Sequence, residues 1–162
     1  MMDYSVRMAT IADIPQLVSL RVAYLKDEFP DTDFAQETLD AVNKQLPDYF
    51  ASHMGRDCFV FCAETAAGEL VSIAVLVCIE KPANLTFPNG KSGEVLSVYT
   101  KPEWRGKGCA SALMKLLLAQ AKSEGLDIVK LSASAMGKPI YEKLGFQIAH
   151  SKFTEMKYPI SR

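Results

Sequence analysis

The chain has 162 residues, of which 49% are hydrophobic and 23% are charged, and its formal net charge is -1. This length suits one domain with a sizeable buried core, and the composition is unlike that of disordered or fibrous proteins. A nearly neutral chain offers no broad basic face for nucleic acid, so any anion site must be local. We therefore expect a single domain over residues 1–162 and no nucleic-acid partner.

Cysteine usage and the N-terminus indicate the compartment. The sequence contains four cysteines: Cys58, Cys62, Cys78 and Cys109. They form no C-x-x-C pair, and no histidine cluster has the spacing of zinc ligands, so we expect no metal site. Residues 1–7 carry charged side chains and lack a long apolar run, which is unlike a secretory signal or a membrane span. These features predict a cytoplasmic protein with free thiols and no membrane partner.

The first third of the chain predicts one strand and two helices. Alternating side chains over Tyr4–Ala9 indicate a strand, and Thr10 stands as an N-cap before a helix that Pro30 closes. Apolar residues recur at helical spacing over residues 34–54, which predicts a second helix that Pro47 should kink or split.

The middle of the chain predicts three strands. Cys58–Thr65 and Leu70–Glu80 are rich in β-branched and aromatic residues and flank a short turn, which indicates an antiparallel hairpin. Residues 81–92 contain two prolines and an Asn-Gly pair, a composition typical of a loop. The third strand is predicted over Glu94–Thr100, so that Glu94 would begin it.

The last third predicts alternating helices and strands. An amphipathic helix follows a glycine-rich turn and ends near Gly125. A strand is expected over Ile128–Ala133, a short helix over Gly137–Leu144, and one or two closing strands over Phe146–Tyr158. Helices mixed with hairpins predict an α+β domain with a mixed sheet rather than a doubly wound parallel sheet.

The segment Val98–Ala110 carries the clearest functional pattern. A predicted strand runs into a turn in which Gly106 and Gly108 leave backbone N–H groups uncovered at the start of a helix. These donors and the positive end of the helix dipole suit a phosphate or pyrophosphate, and Arg105 and Lys107 add local positive charge. A glycine-rich turn before an amphipathic helix can also be a plain connection.

Two motifs in this sequence resemble those of the GNAT acyltransferases. The pyrophosphate-binding motif of that family, R/Q-x-x-G-x-G/A, is matched by Arg105, Gly108 and Ala110, after a predicted strand and before a predicted helix. The ending Y-x-x-x-G-F, the other family signature, is matched by Tyr141–Phe146. The resemblance covers the whole chain and implies the GNAT fold, a central, mostly antiparallel mixed sheet flanked by helices.

The resemblance also implies an activity. It predicts an N-acetyltransferase that uses acetyl-CoA as co-substrate and transfers the acetyl group to an amine of a small molecule or protein by direct attack in a ternary complex. A non-catalytic module that binds or senses acyl-CoA is the alternative. Ser134 stands where many family members have asparagine. The residues that the resemblance assigns to the cofactor are Val98, Tyr99, Thr100, Arg105, Gly106, Lys107, Gly108, Cys109, Ala110 and Ser134.

Four further residues receive roles from the resemblance. Tyr141 would protonate the departing CoA thiolate, and Glu94 would deprotonate the attacking amine directly or through a water. Tyr24 and Glu28, in the first helical region, would line the acceptor pocket. Each residue also has an alternative interpretation without a functional role. Tyr141 can be a packing side chain, Glu94 can be an exposed carboxylate at a strand end, and Tyr24 and Glu28 can be ordinary solvated helix residues.

Two expectations concern chemistry outside these roles. Cys109 stands where the family more often has an aliphatic residue, and it is either a small packing group or, if the helix N-terminus lowers its pKa, a reactive thiol. The predicted closing strands would leave a sheet edge that allows a homodimer.

Overall fold

The computed structural model of the protein describes residues 3–160. Its strands are β1 (Tyr4–Met8), β2 (Cys58–Thr65), β3 (Leu70–Glu80), β4 (Lys91–Thr100) and β5 (Ile128–Lys130). Its α-helices are α1 (Ile14–Glu28), α2 (Gln36–His53), α3 (Cys109–Ser123) and α4 (Lys138–Lys143). The chain divides into two compact units, one that ends at Ser132 and one that begins at Ala133.

The five strands form one mixed sheet in the order β1-β2-β3-β4-β5. Neighbouring strands are antiparallel except β4 and β5, which are parallel. The parallel ladder is short, because it joins only Ser92–Glu94 to Ile128–Lys130. Beyond Glu94, this edge of β4 therefore has no partner strand in the described part of the chain. The predicted α+β fold with a mostly antiparallel mixed sheet is confirmed.

Helices cover both faces of the sheet. Residues 58–63 of β2 are buried one after another, which means that both faces of this strand are covered. One face packs against apolar residues of α1 and α2, namely Leu17, Leu20, Leu46 and Phe50. The other face packs against the buried side of α3, formed by Cys109, Leu113, Met114, Leu117 and Ala121. This arrangement fixes the start of α3 relative to the end of β4.

An ion-pair network joins the first strand to the first helix. Arg7 donates to the carboxylate of Asp13 at 2.8 and 2.9 Å and to that of Glu64, on β2, at 2.9 Å. The backbone N–H of Thr10 donates to the same Asp13 carboxylate at 2.7 Å, which caps the first helical segment, a 3-10 turn at Ile11–Asp13 that continues as α1. The Arg7 guanidinium lowers the pKa of Asp13 from 3.8 to about 2.

Three expectations about elements need correction. α2 runs unbroken through Pro47, so of the predicted kink or split the split does not occur; Leu46 and Phe50, on either side of the proline, are both buried. β4 begins at Lys91, so Glu94 lies inside the strand and not at its start. The strand predicted over Ile128–Ala133 ends at Lys130.

The closing strands predicted over Phe146–Tyr158 are not formed, since residues 146–160 contain no strand. Alternating side chains suit a strand, but a strand also needs a partner for its backbone, and none of the described residues pairs with this segment. Phe153, Met156 and Tyr158 are consequently exposed. The sheet edge on which the expected homodimer rested is therefore absent from the described residues.

Residues 3–160 contain no helix with the length and apolar character required to cross a membrane.

Candidate active site

The turn between β4 and α3 has the backbone geometry of an anion site. Gly106 and Gly108 have φ angles of +73° and +82°, in the left-handed region that favours glycine. Gly108 directly precedes α3 and offers no side chain to cap the helix. The first N–H groups of a helix have no intrahelical acceptor, so they remain open to an anionic ligand at the positive end of the helix dipole.

The side chains predicted to add positive charge to this turn differ in their contacts. Arg105 is turned toward the protein: its Nε donates to the Thr100 carbonyl at 2.9 Å, and its Nη2 lies 3.3 Å from the Asp27 carboxylate. Its guanidinium also lies 5.7 Å from the centre of the Tyr99 ring. Lys107 is exposed and makes no ion pair with any residue from 3 to 160. Arg105 therefore fastens the turn to β4, whereas the Lys107 ammonium is available to a ligand.

The end of β4 presents backbone groups at an edge that no strand of the described chain covers. The Tyr99 carbonyl accepts a hydrogen bond from Ser72 Oγ at 3.0 Å, and the Lys101 N–H donates to the Val71 carbonyl at 2.9 Å, so both groups face β3. Trans peptide planes then turn the N–H and C=O of Thr100 toward the opposite edge. The Thr100 carbonyl already accepts the hydrogen bond from Arg105, so the Thr100 N–H is the group that remains for a ligand. The predicted residue Val98 lies two positions earlier on the same strand.

A bulge interrupts β4 immediately before Val98. Tyr99 pairs with Ile73, but Leu96 pairs with Val75, so one residue of β3 faces two residues of β4. Ser97 is buried and has a left-handed φ of 53° despite its side chain. Such a conformation costs free energy and is held by its surroundings. The bulge leaves no signal in the sequence, because serine is unremarkable in a strand.

Arg21, on α1, contacts this bulge, and sequence analysis did not identify it. Its Nη1 donates a hydrogen bond to Ser97 Oγ, and its guanidinium lies 5.8 Å from the ring centre of Tyr24. Tyr24, predicted to line the acceptor pocket, is half-buried, and burial raises its pKa. Glu28, the other predicted pocket residue, is exposed at the last position of α1.

Glu94 lies on the face of the sheet that α1 and α2 cover. It is paired with Val77, whose side chain packs against the core cluster on that face. The carboxylate is exposed and forms no ion pair within the described residues. On α2, Tyr49 stacks on His53 with ring centres 4.4 Å apart, and burial raises the pKa of Tyr49 to about 12. This tyrosine was not among the predicted residues.

The unit that begins at Ala133 contains the other two predicted site residues. Ser134 Oγ accepts a hydrogen bond from the Gly137 N–H at 3.1 Å, just before α4. The half-buried Tyr141 ring lies edge-on to Phe146 with centres 5.9 Å apart. A Cβ atom at Gly137 would lie 3.0 Å from the Tyr141 ring and 3.3 Å from Ser134 Oγ. Glycine at this position thus permits the close approach of both side chains.

Cys109 behaves as a packing residue. Its side chain lies at the start of α3 with 2% exposure, and burial is the main cause that raises the pKa of its thiol. A raised pKa reduces the thiolate fraction, so the geometry supports the packing interpretation over a reactive thiol.

Comparison with known proteins places this geometry in a family. The family described as "Acetyltransferase (GNAT) domain" matches residues 56–148, more than half of the chain, and the match includes both motifs. The chain is 28% identical over 153 residues to an L-methionine sulfoximine/L-methionine sulfone acetyltransferase of Pseudomonas aeruginosa, an alignment that covers 91% of this chain and 83% of that protein. It is 34% identical over 93 residues to a glucosamine 6-phosphate N-acetyltransferase of Trypanosoma brucei brucei, covering 57% of this chain and 60% of that protein.

Solved structures agree with the family match. A predicted acetyltransferase from Clostridium acetobutylicum, solved with acetyl-CoA, has a TM-score of 0.81 and 28% identity, with 96% of each chain covered. A GCN5-related N-acetyltransferase from Ralstonia eutropha has a TM-score of 0.78 and 26% identity, covering 98% of this chain and 99% of the other. With the glycine turn and the open strand edge, these matches confirm the predicted fold and enzyme class: the chain belongs to the GNAT acetyltransferase family.

Proposed function

We propose that this acetyltransferase transfers the acetyl group of acetyl-CoA to a small-molecule amine by direct attack in a ternary complex. The observation that carries the proposal is the left-handed turn at Gly106 and Gly108, which opens the uncapped start of α3 beside the open edge of β4. No covalent enzyme intermediate is required.

Residues 98–110 fit the thioester carrier in two ways. The first-turn N–H groups of α3 suit the pyrophosphate, and Lys107 adds an exposed positive charge there. The open edge of β4 suits the extended, amide-containing arm of CoA, because the Thr100 N–H faces outward there. When bound, acetyl-CoA supplies an activated acetyl group, and we assign backbone groups of β4 to polarise its carbonyl.

Glu94 is our candidate for the general base. A primary amine such as a lysine side chain has a pKa of about 10.4 in water and must lose a proton before it can attack. Glu94 is exposed, on the face that α1 and α2 cover, and no cation pairs with it within residues 3–160. A carboxylate in this state can accept the proton directly or through a water molecule.

Tyr141 is our candidate for the general acid. As the C–N bond forms and the C–S bond breaks, the CoA sulfur leaves as a thiolate and needs a proton. The motif Tyr141–Phe146 supports this role, and Ser134 remains a proposed cofactor contact because its hydroxyl can still donate a hydrogen bond. The family match extends across both compact units, which supports our proposal that they act as one catalytic domain.

The acceptor is proposed to be a small molecule. Two relatives are named as acetyltransferases of small molecules, one of methionine sulfoximine or sulfone and one of glucosamine 6-phosphate. Their sequence identity to this chain is 28% and 34%. Tyr24 and Glu28 remain candidate acceptor contacts. We further propose a cytoplasmic location, since all four cysteines are free and acetyl-CoA is used there.

A CoA-release assay over a panel of amines tests the function. Turnover with at least one amine supports it, whereas acetyl-CoA binding without turnover on any amine favours a non-catalytic acyl-CoA-binding module. Gly108→Glu should abolish binding by steric block and charge repulsion. Gly55→Glu is the matched control, because Gly55 has a φ of +80° in a turn outside the proposed site.

A further inference from the structure

One guanidinium on the α1 side of the sheet lacks a carboxylate partner among the described residues. Arg7 pairs with two acids and Arg105 with one, and Arg56 is exposed to solvent. Arg21, in contrast, is half-buried and forms no ion pair with any residue from 3 to 160. Partial burial of a charge without a counter-charge costs free energy, and an anionic group of a ligand would offset that cost.

The neighbours of Arg21 hold the guanidinium in place without neutralising it. Ser97 Oγ accepts a hydrogen bond from Nη1, and the Tyr24 ring lies 5.8 Å away. The positive charge of Arg21 also acts on the Tyr49 hydroxyl of α2. The contacts with Ser97 of β4 and Tyr24 of α1 fix the guanidinium beside the bulge, and Tyr49 of α2 lies within reach of its charge.

The position of Arg21 complements that of Glu94. Ser97 and Glu94 lie three residues apart on β4, which corresponds to roughly 10 Å along a strand. The same side of the sheet thus carries one cation and one anion that lack partners within the described residues. A molecule that carries both a carboxylate and an amine has the two charges opposite to those of this pair.

From this geometry we infer that Arg21 binds a carboxylate of the acceptor, so the acceptor is an amino acid or a close derivative. A planar guanidinium matches a carboxylate through two parallel hydrogen bonds. Arg21 supplies one positive charge, and its contact residues Ser97 and Tyr24 add none, which favours a monoanionic carboxylate over a phosphate dianion. The inference rests on the proposed function, because it names the substrate class for the same site.

Matched acceptor pairs test the inference. We would measure kcat/KM for L-amino acids, for their methyl esters and for the corresponding decarboxylated amines, with glucosamine 6-phosphate as the phosphate-bearing comparison. For the wild-type enzyme, kcat/KM should be on the order of 10- to 100-fold higher for the amino acids than for the methyl esters and decarboxylated amines, which lack the carboxylate. This is the range of a charge-assisted hydrogen-bonded pair. Arg21→Gln should remove this preference while leaving the KM for acetyl-CoA unchanged.

Two further variants separate recognition from a structural role. Arg21→Lys keeps the positive charge but loses the planar pair of N–H donors, so it should retain part of the preference for amino acids. Arg56→Gln removes an exposed guanidinium elsewhere and should leave the preference intact. If Arg21→Gln lowers kcat/KM equally for acids, esters and amines, or if the wild type uses all three alike, the inference is wrong. A preference for glucosamine 6-phosphate over every amino acid also overturns it.

A binding measurement keeps the inference testable if no amine is acetylated. In the presence of CoA, N-acetyl amino acids should raise the melting temperature of the wild type. The corresponding N-acetyl amides, which lack the carboxylate, should not raise it, and Arg21→Gln should lose the effect. Absence of this difference in the wild type overturns the inference. Failure of turnover with this difference intact contradicts the proposed catalysis and leaves the carboxylate site standing.

Discussion

The hydroxyl of Tyr4 donates a hydrogen bond of 2.9 Å to the backbone carbonyl of Lys107. The two residues are 103 positions apart, and Lys107 lies between the two left-handed glycines of the turn before α3. The Tyr4 ring also meets Trp104 edge-on, with centres 6.4 Å apart. The first strand of the protein thus holds the turn that we propose binds the pyrophosphate.

Replacing Tyr4 by phenylalanine should weaken acetyl-CoA binding without changing the chemistry. The variant keeps the ring against Trp104 and loses one hydrogen bond that orders the turn before binding. The cost of ordering the turn is then added to binding, with the contribution of that bond, about 0.5–1.5 kcal/mol, as its upper limit, so the Kd should rise by up to roughly 12-fold. Titration calorimetry measures the Kd, and kcat at saturating acetyl-CoA should stay near the wild-type value. Tyr158→Phe, in an exposed part of the chain, is the control. An unchanged Kd for Tyr4→Phe would mean that the turn keeps its conformation without this bond.

Replacing Tyr141 by phenylalanine tests the general acid. The ring contact with Phe146 is preserved while the hydroxyl is removed, so kcat should fall by about 100-fold or more, the lower range for general acid catalysis. The Kd for acetyl-CoA should remain close to that of the wild type. Steady-state kinetics together with calorimetry separate the two effects. Unchanged turnover would remove Tyr141 from the acid role and leave it as a packing residue.

Replacing Glu94 by glutamine tests the general base. Glutamine has nearly the same shape but cannot accept the proton from the amine, so kcat/KM should fall by about 100-fold, the lower range for proton-transfer catalysis. The loss should shrink at high pH, where more of the amine is already unprotonated. Glu80→Gln, an exposed glutamate at the end of β3, should behave like the wild type. A variant as active as the wild type across the pH range would leave amine deprotonation to another group or to solvent.

Patterns of neighbouring residues were sufficient to predict the helix cap and the glycine turn, because both depend on interactions between residues close in sequence. Thr10 predicted the start of the first helical segment, because a cap forms between residues close in sequence, here Thr10 and Asp13. The glycine turn was predictable for the same reason, since its left-handed φ angles and its uncapped helix follow from neighbouring residues.

Features that depend on distant partners were not predictable from the sequence. Arg21 touches Ser97 from 76 positions away, and the left-handed φ of Ser97 arises from a register shift between β3 and β4. The closing strands predicted over residues 146–158 are not formed, because a strand needs a hydrogen-bonding partner and none of the described residues pairs with this segment. The start of β4 was missed because Lys91–Gly93 pair with β3, although their side chains are not typical of a strand.

The Arg7–Asp13 pair predicts how stability depends on pH. Asp13 is 9% exposed, and its pKa falls from 3.8 to about 2 on folding, mainly because Arg7 donates hydrogen bonds to its carboxylate. A carboxyl group with a lowered folded-state pKa stabilises the protein fully above its unfolded pKa. This contribution is lost as the pH falls from about 4 toward 2, and the whole shift corresponds to about 2 kcal/mol.

Asp13→Asn should therefore reduce the loss of unfolding free energy that the protein shows as the pH is lowered. Between pH 5 and pH 3 the wild type should lose about 1 kcal/mol of unfolding free energy that the variant, which has no proton to gain at this position, does not lose. Urea denaturation at the two pH values measures the difference. Asp48→Asn removes an exposed carboxylate on α2 that forms no ion pair within residues 3–160, so it should keep the wild-type pH dependence. If Asp13→Asn and the wild type lose stability in parallel, the acid sensitivity arises elsewhere and the pair between β1 and the first helical segment is not responsible for it.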